Sequence, residues 1–189
     1  SLEEGKDGEM WFATEGGLVR FKDGKWDNWN HERGVGAPLE RVKNDPQFGS
    51  DPAKFSEHHA KQKIEMGLQD TGSAFNPNYI VALMVDREGV VWSGTWGGGL
   101  SRFDGKKWSH YTMADGLPGN HVFMLNEDPS GKLWVGTNNG LASFENGKFK
   151  VITTDDGLYS NTVFSMATAT DGSLWIGSFG GVTHLAAPK

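Results

Sequence analysis

The sequence GKLWVGTNNGLASF at residues 131–144 decides the fold. Apolar and β-branched residues flank an Asn-Asn-Gly turn, a pattern that predicts two antiparallel strands joined by a tight hairpin. The same pattern recurs around Trp11, Trp92 and Trp175. Trp134 follows Trp92 by 42 residues and precedes Trp175 by 41. A repeat of that length made of short strands is typical of the four-stranded blades of a β-propeller, not of a helical repeat.

Each repeat divides into four predicted strands. In the third repeat they cover residues 121–126, 133–137, 141–144 and 149–153, separated by turns rich in Asn, Asp and Gly, which accept the left-handed backbone of hairpins. Three successive hairpins form a blade. We therefore predict an all-β protein, a β-propeller or propeller fragment with four recognisable four-stranded blades and one helical insertion. The fourth repeat is expected to lack its outer strand, and the first to begin inside its inner strand near Leu2.

The spacing of the repeats predicts one domain over residues 1–189, interrupted once. Residues 32–36 form a degenerate copy of the inter-blade loop at 114–118, after which the pattern is lost. Residues 53–69 follow a Ser-Asp-Pro helix start and predict a helix, whereas a hidden fifth blade is disfavoured because the segment has no Trp and no Gly-Thr turn. The predicted units are blade 1 (about 1–30), the insertion (about 31–77), blade 2 (about 78–113), blade 3 (about 114–154) and blade 4 (about 155–189).

The composition excludes several classes of function. The formal net charge of −6 is spread without long runs of one sign, so we expect no nucleic-acid partner and no attraction to an anionic membrane surface. The chain has no Cys, which excludes disulfides, thiol catalysis and Cys-bound zinc. No run of apolar residues is long enough to cross a membrane, and the first residues show no signal pattern, so membrane insertion is not expected.

The geometry of a propeller predicts where a ligand would bind. Loops between the second and third strands and loops between blades share one face around the central channel, here called the channel-mouth face, and the insertion is expected to emerge there as a lid or wall. Trp96 and Phe179 are the preferred ligand contacts, because they differ from the residues at matching turns. The other predicted site residues are Glu15, Asp115, Asn138, Asn139, Asp156 and Tyr159.

Several of these residues have a structural alternative. The repeated Trp is expected to pack between blades. Asp115 and Asp156, each followed by Gly-Leu, are equally suited to accepting hydrogen bonds from their own loops. Among the six histidines, His31, His58 and His59 are weak metal candidates, and adjacent residues on a helix point about 100° apart. We assign no catalytic residue, no metal and no cofactor.

The repeat resembles a known family. The D-x-x-G-x-L-W-V-G-T pattern at 128–137 and the D-G-L-x-x-N pattern at 156–161 are similar to the two-component regulator propeller repeat, over about three quarters of the chain but not about 37–77. This resemblance implies an exported bacterial sensor region, periplasmic or extracellular, that recognises polysaccharide-derived signals without catalysis. The Gly-x-x-Trp strands also resemble those of streptogramin lyases, but we find no matching arrangement of catalytic His residues.

We therefore expect a non-enzymatic binding module that recognises a polar small molecule, a carbohydrate or a partner protein. Two alternatives stay open. One is a lyase or hydrolase that acts at the channel with a His or metal site. The other is a structural subunit that completes a larger ring, as a homo-oligomer or as part of a longer chain.

Overall fold

The computed structural model describes residues 1–43, 57–67 and 75–186, without the side chains of residues 57–59 and 62. These residues form fifteen strands in four antiparallel sheets, each a consecutive blade, which confirms the all-β propeller architecture. Blade 1 contains β1 (Leu2–Glu4), β2 (Met10–Thr14), β3 (Gly17–Lys22) and β4 (Lys25–Trp29). Blade 2 contains β5 (Asn76–Val85), β6 (Val91–Trp96), β7 (Leu100–Phe103) and β8 (Trp108–Tyr111). Blade 3 contains β9 (Val122–Glu127), β10 (Leu133–Thr137), β11 (Gly140–Glu145) and β12 (Lys148–Ile152). Blade 4 contains β13 (Val163–Thr168), β14 (Leu174–Ser178) and β15 (Gly181–Leu185).

Three of the blades have four strands. Within the described residues blade 4 has three, and the missing outer strand is the one that the sequence predicted to be absent. The described residues of the insertion contain two short helices, α1 (Leu39–Val42) and α2 (Glu57–Glu65). Of the helix predicted over 53–69, the structure shows Glu57–Glu65 as helical and residues 66 and 67 as a turn. Residues 53–56, 68 and 69 lie outside the described residues.

Apolar clusters hold neighbouring blades together. Trp11, Trp92 and Trp134 are each buried against the following blade, as predicted for a repeated packing residue. Trp92 donates its indole N–H to Asp86 at 2.8 Å, and Trp134 does the same to Asp128 at 2.9 Å. The motif therefore combines a turn-capping carboxylate with a fixed indole ring, which explains why Asp and Trp recur together.

The blades form an open arc. The inner strands β1, β5, β9 and β13 pack successively against one another. At the two ends the faces that would meet a further blade remain uncovered: Trp26 is 65% exposed on blade 1 and Trp175 is 50% exposed on blade 4. Blade 4 has Ala169 where the two preceding blades have the Asp that binds Trp, so Trp175 lacks this acceptor as well.

The inter-blade loops repeat one capping arrangement. Asn78, Asn120 and Asn161 each accept a hydrogen bond from the first backbone N–H of a 3₁₀ turn, at 2.6, 3.0 and 2.8 Å. The three turns are His31–Arg33, Met113–Asp115 and Thr154–Asp156. The loop between blades 1 and 2 therefore keeps the geometry of the repeat, and the additional residues leave and return within it.

The two ends of the insertion meet at Gly36 and Pro77. A Cβ built on Gly36 would lie 2.6 Å from Pro77 Cβ, and the positive φ of Gly36 (72°) also favours glycine at this point. Ala37, Val42 and Phe75 form a small buried cluster that joins the two ends of the insertion. None of the described helices has the length and apolar character needed to cross a membrane.

Candidate ligand-binding site

A bulge in the inner strands of blades 2, 3 and 4 creates the most distinctive surface of the protein. In β5, Ile80 pairs with Thr95 and Ala82 pairs with Gly94, which leaves Val81 unpaired between them. The pairings of β9 and β13 skip Phe123 and Phe164 at the same point. A bulge bends the strand and changes the direction of a side chain. Three blades therefore carry an apolar side chain at one equivalent position on their inner strands.

These bulged residues line a cavity of about 400 Å³, here called the inner cavity. Its lining also includes the ends of the β6–β7 and β10–β11 turns, so it opens beside the channel-mouth face. The lining residues are Val81, Trp96, His121, Phe123, Asn138, Thr162 and Phe164.

Aromatic rings form a continuous surface in this cavity. The Trp96 ring stacks on Tyr79 at 5.8 Å, meets the edge of His121 at 5.2 Å and lies 5.8 Å from Phe123. Phe123 continues to Phe164 at 5.2 Å, and Phe164 is 48% exposed. Such a surface offers ring faces to a ligand across two blade boundaries.

The polar groups of the inner cavity are few and carry little charge. The buried indole N–H of Trp96 has no hydrogen-bond partner among the described residues. Asn138 accepts a weak hydrogen bond from the backbone N–H of His121 at 3.4 Å, and Thr162 donates to the carbonyl of Asn138 at 3.4 Å. No Asp, Glu, Lys or Arg is among the described lining residues, so the cavity favours an uncharged ligand.

The structure brings only two of the eight predicted site residues together in this cavity, namely Trp96 and Asn138. Phe179 lies on the β14–β15 turn and is 71% exposed. Tyr159 is also exposed, and its ring lies over that turn, because a Cβ built on Gly181 would meet the ring at 2.7 Å. Phe179 and Tyr159 form a separate exposed pair on blade 4.

Four predicted site residues remain, and three of them make hydrogen bonds that stabilise loops. Asp115 accepts from the N–H and hydroxyl of Thr112 at 2.8 and 3.1 Å, and Asp156 does so from Thr153 at 2.9 and 3.2 Å. These bonds complete the capping boxes of the 3₁₀ turns, which confirms the structural alternative for both carboxylates. Asn139 donates to the Pro118 carbonyl at 3.0 Å, and Glu15 is exposed on blade 1.

The metal candidates do not form a cluster in the described part of the chain. His31 Nδ1 lies 2.8 Å from the Val35 carbonyl oxygen, and its ring meets the edge of Phe75 at 5.7 Å. Among the described residues no group of three possible metal-binding side chains occurs. His58 and His59 lie in α2, but their side chains are outside the described residues.

A neutral histidine supports the base of the insertion. The Ser101 hydroxyl accepts from the Gly36 backbone N–H at 2.9 Å and lies 3.2 Å from His110 Nδ1. Burial, followed by the positive charges of Arg41 and His31, lowers the pKa of His110 to about 4. At neutral pH the uncharged Nδ1 of His110 can therefore accept a hydrogen bond from the Ser101 hydroxyl, whose oxygen accepts the Gly36 N–H. These two hydrogen bonds link the insertion to blade 2.

Sequence reasoning missed the bulged residues, although a signal for them exists. Phe123 and Phe164 stand three residues after Asn120 and Asn161, and Val81 stands three residues after Asn78. Read as strand residues, they look like ordinary core positions. Only the pairing with the neighbouring strand shows that they are bulged, so the sequence pattern identifies the position without revealing its exposure.

The four consecutive antiparallel sheets define the chain as a propeller-type domain, and the comparisons with known proteins agree with this fold. The family model described as Two component regulator propeller matches residues 74–97 and 116–139. The first match includes β5 and β6, and the second runs from the inter-blade loop before β9 through β10. Blades 2 and 3 therefore carry two-component regulator propeller repeats, which confirms the resemblance seen in the sequence. A search of curated protein sequences gives no significant match.

Solved structures share the architecture at low sequence identity. The extracellular domain of a hybrid two-component system from B. thetaiotaomicron superposes with a TM-score of 0.67 over 97% of this chain, at 17% identity. The extracellular domain of a one-component system from the same organism gives 0.62 over 98%, at 18% identity. The chain spans 21% and 22% of those two proteins. A catalytically inactive virginiamycin B lyase from Staphylococcus aureus, solved with quinupristin, gives 0.56 at 16% identity; all of this chain aligns to 55% of it.

Proposed function

We propose that this protein is a non-enzymatic recognition module that binds a neutral oligosaccharide in the inner cavity. The observation that carries the proposal is the aromatic surface of Trp96, Phe123 and Phe164 around a cavity of about 400 Å³. Sugar rings present apolar C–H faces that pack on aromatic rings, while their hydroxyl groups need nearby amide, hydroxyl or indole partners. Asn138 and Thr162 supply such partners.

The charge of the cavity favours binding over catalysis. Glycoside and acyl-transfer chemistry requires a pair of groups that exchange protons, such as two carboxylates or a His with a nucleophile. The described lining offers one histidine, His121, and no carboxylate. For the enzyme alternative a metal analysis of purified protein is the decisive measurement, and a stoichiometric ion would revive it.

The test compares residues inside and outside the cavity. Binding to an array of neutral and acidic oligosaccharides is measured for the wild-type chain, and the affinity of the best sugar is then determined for Phe164→Ala and Phe179→Ala. Both residues are exposed on blade 4, so neither change should unfold the protein. We expect the first variant to bind at least about 10-fold more weakly and the second to bind within about twofold of wild type.

Either of two results would contradict this assignment. If Phe179→Ala loses affinity and Phe164→Ala does not, the ligand binds the exposed turn of blade 4 and not the inner cavity. If the array shows only acidic sugars or none, the ligand is not a neutral oligosaccharide.

The setting of the protein is part of the proposal. We propose an extracytoplasmic location, periplasmic or extracellular, because two proteins of the same architecture are extracellular domains of bacterial sensing systems. Fractionation of the producing cells, followed by immunodetection of the chain, tests this location. Recovery in the cytoplasmic fraction alone would contradict it.

A second candidate role is completion of a larger ring. It is favoured by the uncovered end faces, on which Trp26 is 65% and Trp175 is 50% exposed. Large uncovered aromatic side chains commonly mark surfaces of association. The mass in solution, measured by sedimentation equilibrium over a concentration series, tests association of two or more copies. A monomer at all concentrations would exclude self-assembly.

A further inference from the structure

The inner cavity contains a repeat of its own. Its lining divides into two copies of one set of residues, and Phe123 belongs to both. The first copy lies between blades 2 and 3 and consists of Val81, Trp96, His121 and Phe123. The second copy lies between blades 3 and 4 and consists of Phe123, Asn138, Thr162 and Phe164. The cavity is therefore made of two neighbouring recesses that share one ring.

The residues of the two recesses correspond one to one in the sequence. Trp96 and Asn138 each follow the Thr of a Trp-x-Gly-Thr strand. His121 and Thr162 each follow the Asn that caps an inter-blade loop. The bulged residues of two successive inner strands complete each recess. Because the blades of a propeller repeat around one channel, the two recesses lie side by side and present corresponding positions to a ligand.

The two recesses differ in chemistry. The first is aromatic, since the Trp96 ring lies 5.8 Å from Phe123 and 5.2 Å from His121. In the second, Asn138 and Thr162 hold the corresponding positions, so an amide and a hydroxyl stand beside two phenylalanine rings. The Thr162 hydroxyl contacts the Asn138 carbonyl oxygen only at 3.4 Å, a distance at which a hydrogen bond is weak, so it can turn to a ligand at little cost. The first recess thus suits ring stacking, and the second suits ring packing with hydrogen bonds.

The inner cavity ends at the first recess on the side of blade 1. The corresponding residues at the boundary of blades 1 and 2 are Glu15 and Tyr79, and neither lines the inner cavity. Tyr79 instead stacks on Trp96, with the rings 5.8 Å apart and 12° from parallel. That boundary has a separate cavity, lined in part by Gly16 and Asn78. Glu15 therefore provides a control position that corresponds to Trp96 but lies outside the inner cavity.

We propose that the inner cavity binds two adjacent units of a neutral saccharide, one in each recess. One unit stacks an apolar ring face on Trp96, and the next packs on the phenylalanine rings while its hydroxyl groups meet Asn138 and Thr162. This inference rests on the proposed function and adds the length of the bound segment and the residues that recognise each unit. A linked second unit binds in an intramolecular step, so a disaccharide should bind much more tightly than either of its sugars alone.

A ligand-observed NMR titration of the protein tests the inference. The probes are cellobiose, maltose, lactose, mannobiose and N,N′-diacetylchitobiose, each compared with its component monosaccharides. We expect at least one disaccharide to bind at least about 10-fold more tightly than its monosaccharides. In Trp96→Ala and in Asn138→Ala this ratio should fall to about two or less, since each variant keeps only one complete recess. In Glu15→Ala, which changes the corresponding residue of blade 1, the ratio should stay that of wild type.

Thermal unfolding of each variant shows whether a loss of binding is local. Thr162→Val is a second variant of the polar recess that removes the hydroxyl and leaves a side chain of similar size. It should weaken disaccharide binding by about threefold or more at an unchanged Tm. Equal affinity for a disaccharide and its monosaccharides, or an unchanged ratio in both folded alanine variants, would overturn the inference of two recesses and leave the proposed function standing. Binding of none of these sugars would contradict the proposed function and the inference together.

Discussion

The contact between Gly94 and the next blade allows a stability prediction with an internal control. Gly94 occupies the glycine of the Trp-x-Gly-Thr strand, where a Cβ would lie 2.4 Å from Val122 Cγ1 and 2.8 Å from the Val122 carbonyl oxygen. Both atoms belong to the inner strand of blade 3, so Gly94→Ala must push two blades apart. Gly177 holds the same position in blade 4, where the described residues include no following inner strand, and its Cβ would meet only the side chain of Ser165 within 3 Å.

The size of the effect follows from two opposing contributions. Overpacking of a close contact costs about 1–3 kcal/mol, while replacement of Gly by Ala lowers the entropy of the unfolded chain and returns about 0.4–1 kcal/mol. Gly94→Ala should therefore lower the free energy of unfolding by about 1–2 kcal/mol, whereas Gly177→Ala should be neutral or slightly stabilising. In a domain of this size about 1 kcal/mol shifts the Tm by roughly 2–4 °C.

Thermal unfolding followed by circular dichroism measures both variants against wild type. Blade 1 has Ala13 at the same position, so a methyl group as such is compatible with the strand. Truncation of the neighbour in Gly94→Ala/Val122→Ala should show a favourable coupling in a double-mutant cycle, because it removes the nearest clashing atoms. Equal destabilisation by Gly94→Ala and Gly177→Ala, or none by either, would refute the argument that the close approach of Val122 requires glycine at residue 94.

Three further predictions concern residues that support the blades and the insertion. Asp128→Ala should lower the free energy of unfolding by about 1–2 kcal/mol and shift the Trp134 emission to longer wavelength. The reason is that Asp128 accepts hydrogen bonds from that indole and from two backbone N–H groups, and an unchanged Tm and spectrum would contradict it. His110 has a pKa of about 4 in the folded chain against 6.5 ordinarily, so the unfolded state binds the proton more readily; stability should be full above about pH 6.5 and fall as the pH is lowered towards 4. Between pH 7.5 and 5 the free energy of unfolding should fall by about 1 kcal/mol, after allowance for the partial exposure of the ring. Urea unfolding should show a smaller fall in His110→Gln. An equal pH dependence in that variant would assign the fall to other groups. Phe75 is fully buried in the cluster that joins the two ends of the insertion, so Phe75→Ala should make residues 37–43 and 57–67 susceptible to limited proteolysis before the blades are cut. Cleavage of the blades first would show that these residues do not depend on this contact.

The repeat could be predicted from the sequence because its signals are local. Each Asp, turn and Trp lie within a few residues of one another, and the hydrogen bond from Trp134 to Asp128 spans six positions. The capping roles of Asp115 and Asp156 were likewise available as an alternative, since each accepts from a residue three positions earlier. Local chemistry of this kind fixes blades and loops without knowledge of the partners across the fold.

The inner cavity could be predicted only in part because it depends on pairing between strands. Trp96 was recognised because it differs from the residues at matching turns, and the structure places it in the cavity. Phe123 and Phe164 were overlooked because their exposure results from a bulge, which requires comparison of two strands in register. Phe179 was chosen by the same criterion as Trp96, but it lies on blade 4, and the described residues include no following inner strand that would provide a second wall.

The meeting of Gly36 and Pro77 has a consequence for how the chain can vary. Because the inserted segment leaves and re-enters at one point, its length and composition can change while the register of the blades on either side is kept. In the loop between blades 2 and 3, which carries no insertion, Gly116 and Asn120 are only four positions apart. The same scaffold can therefore carry either a plain connection or a module of some forty residues at the rim of its channel, which separates the evolution of specificity from that of the fold.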